Sequence, residues 1–172
     1  MPDDSPPLRV FYSYSHADEG MRKALGNHFA AMRDFDNPLI VDWHDRKIPP
    51  GGKWDGVIRA ELDSADIILL LVSSSFLASK YCRDVEIKRA MERHDQGSAI
   101  VVPVFLRSCD FEGTPFAALQ GVPRDAKPIC NWHPRDEGYL DVARAVRKAV
   151  KDLRERRTTP VAERTHQWRA SA

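Results

Sequence analysis

A chain of 172 residues with 42% apolar or aromatic positions can bury one core and is too short for two ordinary domains. Its 26 Lys and Arg against 25 Asp and Glu leave a net charge of +1, so no global field draws it to nucleic acid or to an anionic membrane. Cys82, Cys109 and Cys130 are odd in number and lack C-x-x-C spacing, which argues against a secreted disulfide framework and for a reducing, cytoplasmic setting. The opening Met1-Pro-Asp-Asp-Ser-Pro-Pro is unlike a signal peptide, and the longest apolar run, Ile67 to Val72, is too short to span a bilayer.

The first predicted element is a strand from Leu8 to Tyr14, beginning where the Pro-rich leader stops. Ser15, Asp18 and Glu19 resemble a capping box, and Met21, Leu25, His28, Phe29 and Met32 share one helical face, which predicts a helix over 17–33 with His28 packed in the core. Leu39 to Trp43 reads as a second strand, and 44–52, with two prolines and two glycines, as a loop without regular structure. Trp54, Ile58 and Leu62 mark a helix over 53–64, followed by a strand at 67–72 apolar enough for the sheet centre. A helix is predicted over 76–95 and a strand over 99–106, in which Pro103 removes one ladder donor. Residues 107–127 read as irregular with a helical turn near Phe116 to Leu119, 128–130 as a short edge strand, and 137–154 as a last helix on the stripe Tyr139, Val142, Val146, Val150 and Leu153.

Five alternations of strand and helix with long connections call for a flavodoxin-like α/β fold, a five-stranded parallel sheet in the order 2-1-3-4-5 with helices on both faces. Residues 1–7 then form a disordered leader, 8–154 one domain, and 155–172 a polar tail or linker. Ligands of such sheets bind where the strand order reverses, which brings 13–15 and 73–75 to the crevice.

Neither a G-x-G-x-x-G turn nor a P-loop is present, and no acidic cluster follows the first strand as a phospho-accepting receiver would need. The serines at 73–75 lack the glycines of a nucleophile elbow, and the six histidines are too scattered for a zinc site, so no metal is expected. Trp43 and Trp54 could stack on a planar ring, although aromatics beside a strand or opening a helix more often pack in a core. Glu86 lies on the helix bordering the crevice, where a glutamate is ordinarily a solvated surface residue.

Four segments change that reading: Val10-Phe-Tyr-Ser-Tyr-Ser-His16, Asp42-Trp-His-Asp-Arg-Lys-Ile-Pro-Pro-Gly51, Ile67 to Ser75, and Ser79-Lys-Tyr-Cys-Arg-Asp-Val-Glu86. Their order and spacing over 8–154 resemble Toll/interleukin-1 receptor (TIR) domains, especially the bacterial modules that cleave NAD+ in immune signalling. The resemblance implies that Glu86 is catalytic and that NAD+ is a substrate, with no separate cofactor. It implies substrate contacts from Tyr14, Ser15, His16, Trp43, Asp45, Lys47, Trp54, Ser73, Tyr81 and Cys82. Self-association with other TIR domains is implied for the loop of Arg46, Ile48, Pro49, Pro50 and Gly51, and a sensor domain beyond the C-terminal tail is a further implied partner. Basic residues that some enzymatic relatives carry after the first-strand tyrosine are replaced here by Ser15 and His16. Asp84 is a rival carboxylate on another face of the same helix. Since many TIR domains are non-catalytic adaptors, a TIR–TIR interaction module is the alternative.

Overall fold

The computed structural model describes residues 4–48 and 50–158, so Pro49 of the loop and residues 159–172 of the tail lie outside the described residues. Four parallel strands, β1 (Leu8–Ser13), β2 (Ile40–Trp43), β3 (Ile67–Val72) and β4 (Ile100–Phe105), lie in the order β2-β1-β3-β4. They alternate with α1 (Glu19–His28), α2 (Ala30–Arg33), α3 (Trp54–Ser64), α4 (Ser74–Ala78) and α5 (Lys88–Asp95), and α6 (Arg135–Thr158) closes the described chain.

Side-chain alternation along the strands sorts the core into two halves. Val10, Tyr12, Ile67, Leu69 and Leu71 pack with Leu25 and Phe29 and with Val142, Val146 and Val150 of α6. Phe11, Ile68, Leu70 and Val72 pack on the other face with Ile58 and Leu62 of α3, Phe76 of α4, Ile87, and Ala90 of α5. All six residues of β3 are fully buried, as a central parallel strand covered by helices on both faces requires.

The expected fifth strand is not among the described residues. Ile129–Asn131 forms a 3-10 turn instead, and the outer edge of β4 is met by a single parallel bridge between Val104 and Val122. The Asn131 and Trp132 amides donate back to the carbonyls of Pro128 and Ile129 and close this turn, while the Cys130 amide donates to the Leu106 carbonyl at 3.1 Å, so a single bond rather than a ladder joins the stretch to the exit of β4. Pro103 sits on this outer strand, where its carbonyl accepts from the Val122 amide at 2.8 Å.

The expected helix over 17–33 is interrupted. Ser15 caps a 3-10 turn at His16–Asp18, and α1 and α2 are separated at Phe29, whose ring lies 6.1 Å from that of Tyr12. His28 is half-buried rather than in the core, stacked on Tyr139 and bonded to Asp136 at 3.2 Å. The helix expected over 76–95 breaks at Ser79, whose extended backbone ends α4. One 3-10 turn, Asp45–Lys47, forms inside the loop after β2. The last helix runs four residues past its expected end, and Arg154 on it donates to the carbonyls of Ser5 and Pro6.

Leu70→Ala, a truncation at a fully buried position of β3, is expected to cost about 2–5 kcal/mol. Val41→Ala, at a position 47% exposed on the edge strand β2, should change stability by about 0.5 kcal/mol or less. Urea unfolding of both variants checks the assignment of β3 to the sheet centre.

Candidate functional site

Parallel strands leave a crevice at their carboxyl ends where the order reverses about β1, and the cleft of interest opens there. Its volume is about 300 Å3, and Tyr12, Tyr14, Ser15, His16, Asp45, Trp54, Ile58, Ser79, Tyr81, Cys82 and Glu86 line it. A groove of about 360 Å3 between α3 and α5 is larger, but Arg89 in it is already paired, with Asp63 across the groove at 2.6 Å and with Glu92 on its own helix at 3.2 Å. That groove contains no buried titratable side chain.

Glu86 stands in a π-helical segment, Cys82–Ile87, that leads into α5. The Ser79 hydroxyl starts this second helix by accepting from the Cys82 amide at 3.3 Å. A π-segment widens the turn and is enriched at functional sites. Here Cys82, Glu86 and Ile87 face inward while Arg83 and Asp84 remain exposed, so Asp84 is a surface charge.

Only 6% of Glu86 is exposed, and the Ser13 hydroxyl at the end of β1 donates to its Oε2 at 3.0 Å. Burial pushes the Glu86 carboxyl up to about 7, although the Cys82 thiol, the Ser13 hydroxyl and His16 pull the other way; Asp45 adds to the rise. The Cys82 thiol is itself pushed up to about 12 by burial and by Glu86, and it donates to the Tyr14 carbonyl at 3.6 Å. It therefore stays protonated and is no nucleophile at neutral pH.

The opposite wall is tied to the loop after β2 through Asp45. Tyr14 bonds to Asp45 at 3.0 Å and closely to Glu19, and His16 pairs with the other Asp45 oxygen. At the mouth the Trp54 ring, 44% exposed, lies 4.4 Å from the Tyr81 ring, whose hydroxyl donates to Asp55 at 3.0 Å. No Lys or Arg lines the cleft among the described residues, and its charged groups are two carboxyls and one imidazole.

Comparison with known proteins gives this arrangement a family. The model of the TIR domain family matches residues 10–133, which take in all of the cleft and all but the first two residues of the sheet. The chain belongs to the TIR domain family. It is also 50% identical over 141 residues to an uncharacterized protein, y4lF, of Sinorhizobium fredii, an alignment that covers 82% of the chain and 43% of that relative. The chain thus spans less than half the length of the relative.

Of the residues singled out in the sequence, the TIR fold brings Tyr14, Ser15, His16, Asp45, Trp54, Tyr81, Cys82 and Glu86 to one cleft. Three others go elsewhere. Trp43 stacks on Phe11 at 5.4 Å over the α3 face of the sheet, and Lys47 reaches back to the Asp42 carbonyl at 2.5 Å. Ser73 is fully buried, capping α4 through the Phe76 amide at 3.1 Å and donating to Asp18. Trp54 departs from the core position that its residue type favours and stands at the rim. Within the loop, Arg46 and Pro50 are exposed, Gly51 takes a φ of +83° that favours glycine, and Ile48 is half-buried against the core.

Sequence reasoning missed Ser13 as the partner of Glu86. The signal was present in the alternation of β1: if Tyr12 faces α1 and α6, Ser13 must face the helices after β3. Among the described residues no group of His, Cys, Asp or Glu could hold a metal, and no helix is long and apolar enough to cross a membrane.

A buried carboxyl raised from 4.5 to about 7 binds a proton more tightly in the folded than in the unfolded state. Its contribution to stability is greatest below pH 4.5 and is lost as pH rises through about 7. Glu86→Gln keeps the shape without the ionisation. It should be more stable than the parent by about 3 kcal/mol at pH 8 and nearly equal to it at pH 4, as read by urea unfolding at both values.

Proposed function

We propose that this TIR domain is an NAD+ nucleosidase in which Glu86 is the catalytic carboxylate. The observation that supports this most is a buried carboxyl, pushed up to about 7 by its burial, in the wall of a cleft whose lining has no fixed cation among the described residues. Such a cleft suits the positively charged nicotinamide-ribose end of the dinucleotide. The pyrophosphate then runs toward the loop after β2, where Arg46 and Lys53 are exposed.

The reaction breaks the bond between the ribose C1′ and the pyridinium nitrogen. The bonding pair leaves with the nitrogen, nicotinamide departs neutral, and positive charge develops over C1′ and the ring oxygen of ribose. An ionised Glu86 stabilises that charge, most strongly in the transition state and in a site of low dielectric. Attack by water at C1′, with loss of its proton, gives ADP-ribose. Attack by an adenine nitrogen or a ribose hydroxyl of the same molecule gives a cyclic isomer, favoured where water is excluded. Trp54 and Tyr81 offer aromatic surface for a planar ring, and Ser15, His16 and Asp45 offer polar groups for ribose hydroxyls. NAD+ is consumed as the substrate.

In this reading the domain is the effector part of a signalling protein and works when copies associate through the loop around Arg46, Ile48, Pro50 and Gly51. A sensor region elsewhere in a longer chain supplies the trigger, a role for which a relative covered over only 43% of its length leaves room.

Nicotinamide release from NAD+ should be measurable with concentrated or crowded protein, and Glu86→Ala should lower it at least ~100-fold. The wild-type rate should climb between pH 6 and 8 about a midpoint near 7, because the ionised carboxylate is the active form. No turnover under any assembling condition, or equal turnover by the variant, sinks the proposal and leaves the interaction-module reading.

Pro50→Asp places a charge on the exposed loop and should weaken self-association and activity together. Sedimentation of parent and variant at matched concentrations checks this, and an unchanged oligomer distribution contradicts the role given to the loop. Ile48→Asp is a poorer probe, since Ile48 packs against the core and its loss perturbs folding as well.

A further inference from the structure

The geometry points to Ser13 as the positioning residue for Glu86: its hydroxyl holds one carboxylate oxygen against β1 and thereby leaves the other to face the cleft. This rests on the reading of Glu86 as the catalytic group. Ser13 has no exposed surface, comes from a strand fixed on both sides by β2 and β3, and donates to Glu86 Oε2 at 3.0 Å. Glu86 lines the cleft and is 6% exposed, so with Oε2 held by Ser13 it is Oε1 that is left for a ligand there.

A carboxylate free to rotate about its last side-chain bond presents either oxygen, in a range of directions. One anchored by a hydroxyl donor presents a single oxygen in a fixed direction. That donor also favours the ionised form, since it bonds better to a carboxylate than to a neutral acid. Of the other groups facing Glu86, the Cys82 thiol also favours the ionised form, but it stands on the same helical segment and bonds to the Tyr14 carbonyl, so Ser13 is the donor that ties Glu86 to β1. Tyr81 donates to Asp55, Tyr14 is bonded to Glu19 and Asp45, and Tyr12 donates to Asp42. His16 is paired with Asp45, and α3 presents only Trp54 and Ile58 to the cleft.

The test is a pH titration of glutamate side-chain carboxyls by carbon-13 NMR, the Glu86 resonance being identified by its loss in Glu86→Gln. It is read alongside nicotinamide release. Ser13→Ala removes one oxygen without adding volume and should raise the Glu86 midpoint by about one pH unit. It should also lower kcat at pH 7 by roughly five- to tenfold with little change in KM, the deficit narrowing as pH rises. Ser13→Cys, with a weaker donor of similar size, should give an intermediate midpoint. An unmoved midpoint in Ser13→Ala overturns the assignment, as does a loss of activity that is uniform across pH. A shifted midpoint in a protein that releases no nicotinamide supports the Ser13 assignment and overturns the nucleosidase reading.

Discussion

Removing a carboxylate from water costs several kcal/mol unless a cation or a set of donors replaces its hydration, and otherwise the group holds its proton instead. Glu86 is 6% exposed, has one hydroxyl donor and a nearby thiol, and pairs with no Lys or Arg among the described residues, so burial pushes it up to about 7. The local structure holds it there. A break at Ser79 restarts the helix, the π-segment Cys82–Ile87 turns the side chain inward, and β1 supplies Ser13.

Two other buried carboxylates show what a cation changes. Burial would raise Asp42 as well, yet Arg33 at 2.8 Å, Lys47 at 3.3 Å and the Tyr12 hydroxyl at 2.9 Å hold it below the usual carboxylate range. Asp18, 3% exposed, receives the Ser73 hydroxyl and pairs with Arg107 at 2.7 Å. Both are structural ties. Asp42 fastens the end of β2 to α2 and to the loop, and Asp18 fastens the exit of β1 to the exits of β3 and β4. Glu86 is the buried acid that no cation fastens, and its partners leave its charge undecided near neutral pH.

Asp45 joins the cleft to the loop. Its oxygens reach Tyr14 and His16, both on the exit of β1, while the same 3-10 turn carries Arg46 and Lys47 toward solvent and toward Asp42. A change in the loop therefore changes the charge facing Glu86, since Asp45 is among the groups that raise its proton affinity. Loop and cleft are one electrostatic unit, although they are separate segments in the sequence.

Periodicity in the sequence determined the four strands, the parallel α/β architecture and the central position of β3, because alternation and burial on both faces are imprinted in residue type. Motif spacing determined the family and singled out Glu86. Helix continuity was less legible: the breaks fall at Phe29, whose ring packs near Tyr12, and at Ser79, whose hydroxyl caps the next helix, and neither disturbs the composition of the segment. The fifth strand failed because the amides after Pro128 turn back to the carbonyls of Pro128 and Ile129 in a 3-10 turn instead of reaching along β4. Which candidates share the cleft was settled only by the tertiary structure. Trp43, Lys47 and Ser73 lie close in sequence to cleft residues, yet strand alternation and nearer polar partners turn them away. Ser13 and Glu86 are 73 residues apart and meet only because β1 and the helix after β3 pack on one face of the sheet. A sequence records which side chains can bond or ionise, whereas desolvation and partner choice belong to the packed chain, and these set the proton affinity of Glu86.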